Sequence, residues 1–225
     1  MTQRHCHLDP VGGIAGDMFA GALMDMMPER AEAAINAIRV AGIDPNVSLE
    51  HRAFNDGVLS GSKFDVQLPT PEPHHHHVHW SALRDTLQSS DLDTPVCDRA
   101  VSIFSLLAEA EAKVHDKPID DVVFHEVGAW DSIADIVAAA YLIEALSPCT
   151  WSIGTIPIGS GRVRTDHGLL PVPAPATTLL LEGFKCIDDG FVGERVTPTG
   201  AAIIKDLDPK FGIGVVPKIM IRNGY

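Results

Sequence analysis

The stretch from Phe124 to Tyr141, Phe-His-Glu-Val-Gly-Ala-Trp-Asp-Ser-Ile-Ala-Asp-Ile-Val-Ala-Ala-Ala-Tyr, constrains the fold more than any other part of the chain. Val122, Val123 and Phe124 are a short β-branched and aromatic run, while Ile133, Ile136, Val137, Ala140 and Tyr141 recur at helical spacing. The order is therefore strand, polar turn, helix with one apolar stripe. His125 and Glu126 stand where the strand gives way to the turn, and Gly128 frees the backbone there. Asp131 and Ser132 are capping residues that also put negative charge at the positive end of the helix dipole. Asp131 and Asp135 share a helix face one turn apart, and like charges so placed disfavour an isolated helix. Two readings stay open: a cation or a proton is held between them, or Asp131 only caps and Asp135 is solvated.

A second strand, turn and helix opens the chain. His5-Cys6-His7-Leu8-Asp9 reads as a strand, Pro10 to Asp17 as a glycine-bearing turn, and the helix runs to about Met27. Gly16 and Asp17 stand at a helix start, where free amides and partial positive charge suit a phosphate. The spacing matches neither the dinucleotide fingerprint nor a P-loop, so tight packing of helix on strand explains the glycines equally well. Period-2 geometry places His5, His7 and Asp9 on one strand face, where a metal could be held.

Ala31 to Val40 reads as a helix ended by Gly42. Val47–Phe54 and Val58–Leu68 read as a hairpin closed by Asn55-Asp56-Gly57. Pro69-Thr70-Pro71-Glu72-Pro73 is then a stiff spacer that delivers His74, His75, His76, His77 and His79. Imidazole suits nickel, copper, zinc and iron, and a run of five rings can offer two or more to one ion without a preformed cage. A short helix follows at Trp80–Leu87 and a longer one at Asp98–Val114.

Beyond the central segment, Ile153–Ile158 reads as a strand, and Gly159-Ser160-Gly161 opens a loop bearing Arg162, Arg164 and His167. Arg is suited to bidentate contact with phosphate or carboxylate. A Pro-start, Gly-stop helix follows at Pro175 to Gly183. Thr197-Pro198-Thr199-Gly200 starts another, in which Thr197 caps and Thr197 and Thr199 could meet a phosphate. Ile213–Ile221 reads as a closing strand.

Composition narrows the function classes. There are 17 Lys and Arg against 30 Asp and Glu, a net charge of −13, which argues against a general nucleic-acid or anionic-membrane binder. The longest largely apolar run, Ile136 to Leu146, is too short to cross a bilayer. Four scattered cysteines without C-x-x-C spacing, and an N-terminus with no apolar signal core, fit a reducing cytoplasm. The expected architecture is α/β: a mixed sheet flanked by helices, with a His-rich flexible loop. Its parts are residues 1–68, a Pro/His-rich linker at 69–80, and 81–225 packed with 1–68 as one domain.

Several segments together resemble the LarC-type nickel insertion proteins. They are Leu8-Asp9 with Gly-Ile-Ala-Gly-Asp-Met, the histidine tract, the segment from Phe124 to Val137, and Gly-Ser-Gly with His167-Gly168 and Leu-Pro-Val-Pro-Ala-Pro-Ala-Thr. Val-Thr-Pro-Thr-Gly-Ala-Ala completes the series. The matches run in order across nearly the whole chain.

The resemblance implies a nucleotide-dependent metallochelatase (lyase) reaction that places nickel in a pyridinium bisthiocarboxylate mononucleotide, the nickel-pincer cofactor of lactate racemase and similar enzymes. His125, Glu126, Asp131 and Asp135 are then expected to position metal and move a proton, with the histidine tract, His125 and Glu126 as ligands. Asp9, Gly16, Asp17, Arg162, Arg164, His167, Thr197 and Thr199 are expected to meet the anionic mononucleotide. Where many relatives have Cys after Asp9, this chain has Pro10. Relatives generally continue past the final Gly-Tyr into a domain that handles a nucleoside triphosphate with Mg or Mn. The chain is therefore expected to be the metal-handling N-terminal part, completed by such a domain or a partner chain, with a homo-oligomer left open. A nickel storage or delivery protein, and a phosphohydrolase with Mg or Mn on Asp131 and Asp135, are the alternatives.

Overall fold

The structure is a computed structural model, and it describes residues 4–67, 78–124, 130–165, 168–214, 220 and 223–224. Strand β1 (Arg4–Leu8) leads through a turn into helices α1 (Gly16–Met26) and α2 (Pro28–Val40). Strands β2 (Ser48–Asn55) and β3 (Ser60–Gln67) form an antiparallel hairpin. Its turn is held by the Asp56 carboxylate, which accepts from the amides of Val58 at 2.8 Å and Leu59 at 2.7 Å. Phe64 of β3 is buried, and the hairpin lies on α1. This is the hairpin that the Asn-Asp-Gly signal predicts.

Strand β4 (Val78–His79) runs directly into α3 (Trp80–Ser89), and α4 (Thr94–His115) follows. A single 3-10 turn at Ile119–Asp121 leads to β5 (Val123–Phe124), which pairs antiparallel with β4. Helix α5 (Trp130–Leu146) comes next. It differs from the one-stripe expectation, because Ser132 through Ala140 are buried without a break. Its surroundings are the cause: α1, α2, α4, α7 (Pro198–Leu207) and β3 all pack on it. A helix enclosed on all sides carries apolar residues all round.

The strand expected at Ile153–Ile158 is two strands, β6 (Cys149–Ile153) and β7 (Ile156–Pro157). They part at Gly154, whose amide donates to the Leu8 carbonyl at 2.9 Å. Then come β8 (Gly159–Ser160), the hairpin β9 (Arg162–Thr165) and β10 (Gly168–Pro171), and α6 (Pro175–Leu180). Strands β11 (Cys186–Ile187) and β12 (Gly193–Glu194) precede α7, and β13 (Lys210–Phe211) follows it. Most of the closing strand expected at Ile213–Ile221 lies outside the described residues.

The fold is mixed α/β, and its strands are divided among several small sheets rather than joined in one. Strands β1, β6 and β13 make a parallel three-stranded sheet in the order β1-β6-β13, and the remaining described strands pair two by two. One hydrophobic core runs from α1 and α2 through α4 and α5 to α7. An ionic cluster ties three of these helices together: Arg99 of α4 donates to Glu144 of α5 and to Asp206 of α7, each at 2.5 Å. The histidine-rich loop falls outside the described residues apart from its last members.

Candidate functional site

The starts of α1, α5 and α7 meet at Gly16. A Cβ there would lie 2.6 Å from Asp135 Oδ2 and 2.8 Å from Thr199 Cγ2, so only glycine lets the three helices touch. Asp135 is 8% exposed, one turn into α5. Its carboxylate accepts from the Asp17 backbone amide at the start of α1. Burial, first, and the charges of Asp17 and Asp131, second, raise its pKa well above the ordinary carboxylate range. Its Oδ1 is buried and has no hydrogen-bond partner among the described residues. Such an atom is costly to leave unmatched, and it points to a proton or a ligand. Asp131 and Asp17 are exposed in their first helical turns, where each Oδ1 accepts the next residue's amide, at 2.7 Å and 2.8 Å. Asp135 is thus neither solvated nor a cap, and Asp131 does not cap three residues on.

The turn from Pro10 to Ala15 runs beside the segment that starts α7. The Ile14 amide donates to the Arg195 carbonyl at 2.8 Å, and the Thr197 amide to the Ile14 carbonyl at 3.0 Å. Gly13 has φ +107, and a Cβ on it would lie 2.0 Å from the Arg195 carbonyl oxygen. A Cβ on Gly200 would lie 2.5 Å from the Ile14 carbonyl oxygen. Close backbone approach therefore explains these glycines. Thr197 Oγ1 caps α7 by accepting from the Gly200 amide at 3.1 Å, and the Thr199 side chain is buried against Gly16. At both helix starts, amides that suit a phosphate already hold oxygens of this chain, those of Asp135 and Thr197.

Arg195 is the residue that sequence reading missed. It donates to the Gly12 carbonyl at 3.1 Å and to Asp189 Oδ2 at 2.7 Å, and its guanidinium lies 4.0 Å over the Phe191 ring. The only signal in the sequence is its place just before Val-Thr-Pro-Thr-Gly. Arg162 and Arg164, by contrast, are exposed on β9 and have no ion-pair partner among the described residues. Asp9 is exposed beyond the end of β1. His5 lies 2.8 Å from Thr150 Oγ1 and 2.9 Å from Ser152 Oγ, and His7 Nδ1 lies 2.8 Å from the same Ser152 Oγ. These imidazoles bind hydroxyls of β6.

The histidine tract is anchored at its C-terminal end. In the β4–β5 ladder, Val78 pairs with Phe124 and His79 with Val123. The antiparallel register makes both chains leave at the same end, one toward His77 and the other toward His125 in sequence. The ladder is held in an aromatic cluster: the Phe124 ring lies 6.3 Å from Trp80 and 6.2 Å from Phe104. His79 itself is exposed. His74, His75, His76, His77, His125, Glu126 and His167 lie outside the described residues. Among those described, no three His, Cys, Asp or Glu side chains are grouped so as to hold a metal ion, and no helix is long and apolar enough to cross a membrane.

Comparison with known proteins follows the same lines. The family model described as Nickel insertion protein matches residues 6–225. A protein of Myxococcus xanthus is 42% identical over 226 residues, covering 99% of this chain and 56% of its own length. Two proteins named pyridinium-3,5-bisthiocarboxylic acid mononucleotide nickel insertion protein also match. That of Geobacillus kaustophilus is 38% identical over 92% of this chain and 51% of its own length. That of Akkermansia muciniphila is 42% identical over 88% of this chain and 50% of its own length. The chain thus spans about half the length of the curated relatives it matches. No solved structure matches it. With the family model covering nearly every residue and these identities across almost the full chain, the protein belongs to the nickel insertion protein family.

Proposed function

We propose that this chain is the metal-handling part of a nickel chelatase of the lyase class, which inserts nickel into a pyridinium bisthiocarboxylate mononucleotide to form the nickel-pincer cofactor. The observation that supports the reading is the β4–β5 register, in which Val78, next in sequence to the histidine tract, pairs with Phe124, next in sequence to His125 and Glu126. From that turn the chain enters α5 and reaches Asp131 and Asp135 within its first turns.

In this reading His74, His75, His76, His77 and His79 collect nickel, the substrate ion, and His125 and Glu126 receive it. Forming a metal–carbon bond requires the pyridinium ring to release a proton, and a positioned carboxylate must accept it. Asp131 and Asp135 stand for that task, and the unmatched Oδ1 of Asp135 supports the assignment. Arg162, Arg164 and His167 meet the phosphate and thiocarboxylate groups of the anionic precursor, with the exposed Asp9 and Asp17 lining its approach and Gly16, Thr197 and Thr199 fixing the helix starts behind them. The nucleoside triphosphate, with Mg or Mn, belongs in this reading to the further half found in the relatives, joined or supplied as a partner chain. The reaction takes place in the cytoplasm.

The test supplies the chain with nickel, the apo-cofactor and the further half of a relative, and assays racemase activation. Activation that is lost in Asp131→Ala while the fold is kept is the expected result. Nickel binding without activation would turn the reading into storage or delivery. Replacing the five tract histidines by Ala should lower nickel stoichiometry in equilibrium dialysis, and an unchanged count would remove the tract from the mechanism.

A further inference from the structure

The three-stranded sheet carries different chemistry on its two faces. His5 and His7 of β1 bond to hydroxyls of β6 on one face. By strand alternation, Cys6 of β1 lies on the other, where it meets Cys149 of β6. The two sulfurs are 3.5 Å apart, and both side chains are half-buried. Neither cysteine belongs to the segments that mark the family resemblance, and the nickel-handling proposal uses neither.

We infer that Cys6 and Cys149 form a two-thiolate site for a thiophilic divalent cation such as zinc or cadmium. Two zinc–sulfur bonds of about 2.3 Å at a tetrahedral angle set their sulfurs about 3.8 Å apart, so for zinc the observed spacing needs an adjustment of only a few tenths of an ångström. A disulfide fits the same pair poorly. The register sets Cys6 opposite Trp151 and Cys149 opposite Arg4, so the two cysteines are two residues out of step. With strands about 4.8 Å apart and a rise of about 3.3 Å per residue, their Cα atoms lie about 8 Å apart, beyond the reach of an unstrained disulfide.

The charge balance permits the metal. Burial together with Cys149 pushes the Cys6 thiol up to about 12, a cost that two metal–sulfur bonds must offset. A divalent cation displaces both protons to solvent, and the resulting dithiolate unit carries no net charge, which suits a half-buried position. The Thr150 carbonyl, 3.4 Å from the Cys149 sulfur, and water complete the coordination. Cys97 and Cys186 stand apart, each directed at a backbone carbonyl, and serve as internal controls.

The experiment uses the full chain, reduced and stripped of metal, titrated with cadmium. Imidazole gives no thiolate-to-cadmium charge-transfer band in the ultraviolet, so the histidine tract is silent in this readout. One saturating band is expected, unchanged in Cys97→Ser and Cys186→Ser and abolished in Cys6→Ser and in Cys149→Ser. In the wild-type chain, cadmium should also protect Cys6 and Cys149 from iodoacetamide while Cys186 stays reactive, a measurement that needs no variant to fold. Absence of the band, its survival in both Cys6→Ser and Cys149→Ser, or equal alkylation of the pair with and without cadmium would overturn the inference. None of these outcomes bears on nickel transfer, so the two proposals fail separately.

Discussion

Two regions of this molecule present charge or metal-binding groups in opposite ways. At the seam of α1, α5 and α7, a carboxylate is enclosed by packing: Asp135 is buried against Gly16 and held by the Asp17 amide. At the β4–β5 ladder the aromatic anchor is buried, while His79 stands exposed at its edge. The first arrangement sets position and proton affinity at a cost in desolvation. The second leaves the imidazole of His79 exposed at the end of a ladder anchored by a buried ring. A seam of this kind suits a step that needs one geometry, and a ladder of this kind suits capture from solution.

The largest expected effect tests the ladder. Phe124→Ala removes a fully buried ring packed on Trp80 and Phe104 and should cost about 4 kcal/mol in urea unfolding. A loss below about 1 kcal/mol would mean that the ladder is not anchored by its aromatic cluster.

Next comes the seam. Gly16→Ala drives a methyl group into Asp135 and Thr199 and should cost about 2–3 kcal/mol by overpacking. A neutral result would show that the three helices do not meet as closely as 2.6 Å requires.

Asp135→Asn separates burial from charge. The raised pKa of Asp135 means that the fold favours its protonated form. That contribution is fully present below the ordinary carboxylate range and is lost as pH rises through the raised value. Wild-type stability should therefore fall with pH above the ordinary range, with a limiting slope of about 1.4 kcal/mol per pH unit for one proton, and Asp135→Asn should lack that component. Identical pH profiles for the two proteins would place Asp135 in contact with solvent.

The smallest change in stability is expected for the histidines. Replacing His74, His75, His76, His77 and His79 by Ala should shift unfolding by less than about 0.5 kcal/mol, as for surface positions in general, while nickel binding falls. A large destabilisation would erase the contrast, because the tract would then be part of the packed structure.

Much of the local structure is legible in the sequence. Asn55-Asp56-Gly57 predicts the hairpin turn that the Asp56 carboxylate closes, and Thr197-Pro198 predicts the capped start of α7. The Val122–Phe124 run and the helix after it also occur in the predicted order. The sequence does not show that α5 is enclosed, because a stripe at helical spacing reads the same whether the opposite face meets water or other helices. Nor does it show Arg195 in place of Arg162 and Arg164 beside the glycine turn, since its partners Gly12 and Asp189 come from different loops.

The sequence by itself determined the family and the order of elements, because motifs and periodicities record interactions between residues a few positions apart. Only the tertiary structure decided that Gly16 is glycine because Asp135 and Thr199 occupy the space of its Cβ, and that Cys6 faces Cys149. It also decided that Val78 and His79 pair with Phe124 and Val123 in one ladder. Burial and close approach arise between partners far apart along the chain, and no local pattern carries their depth or distance.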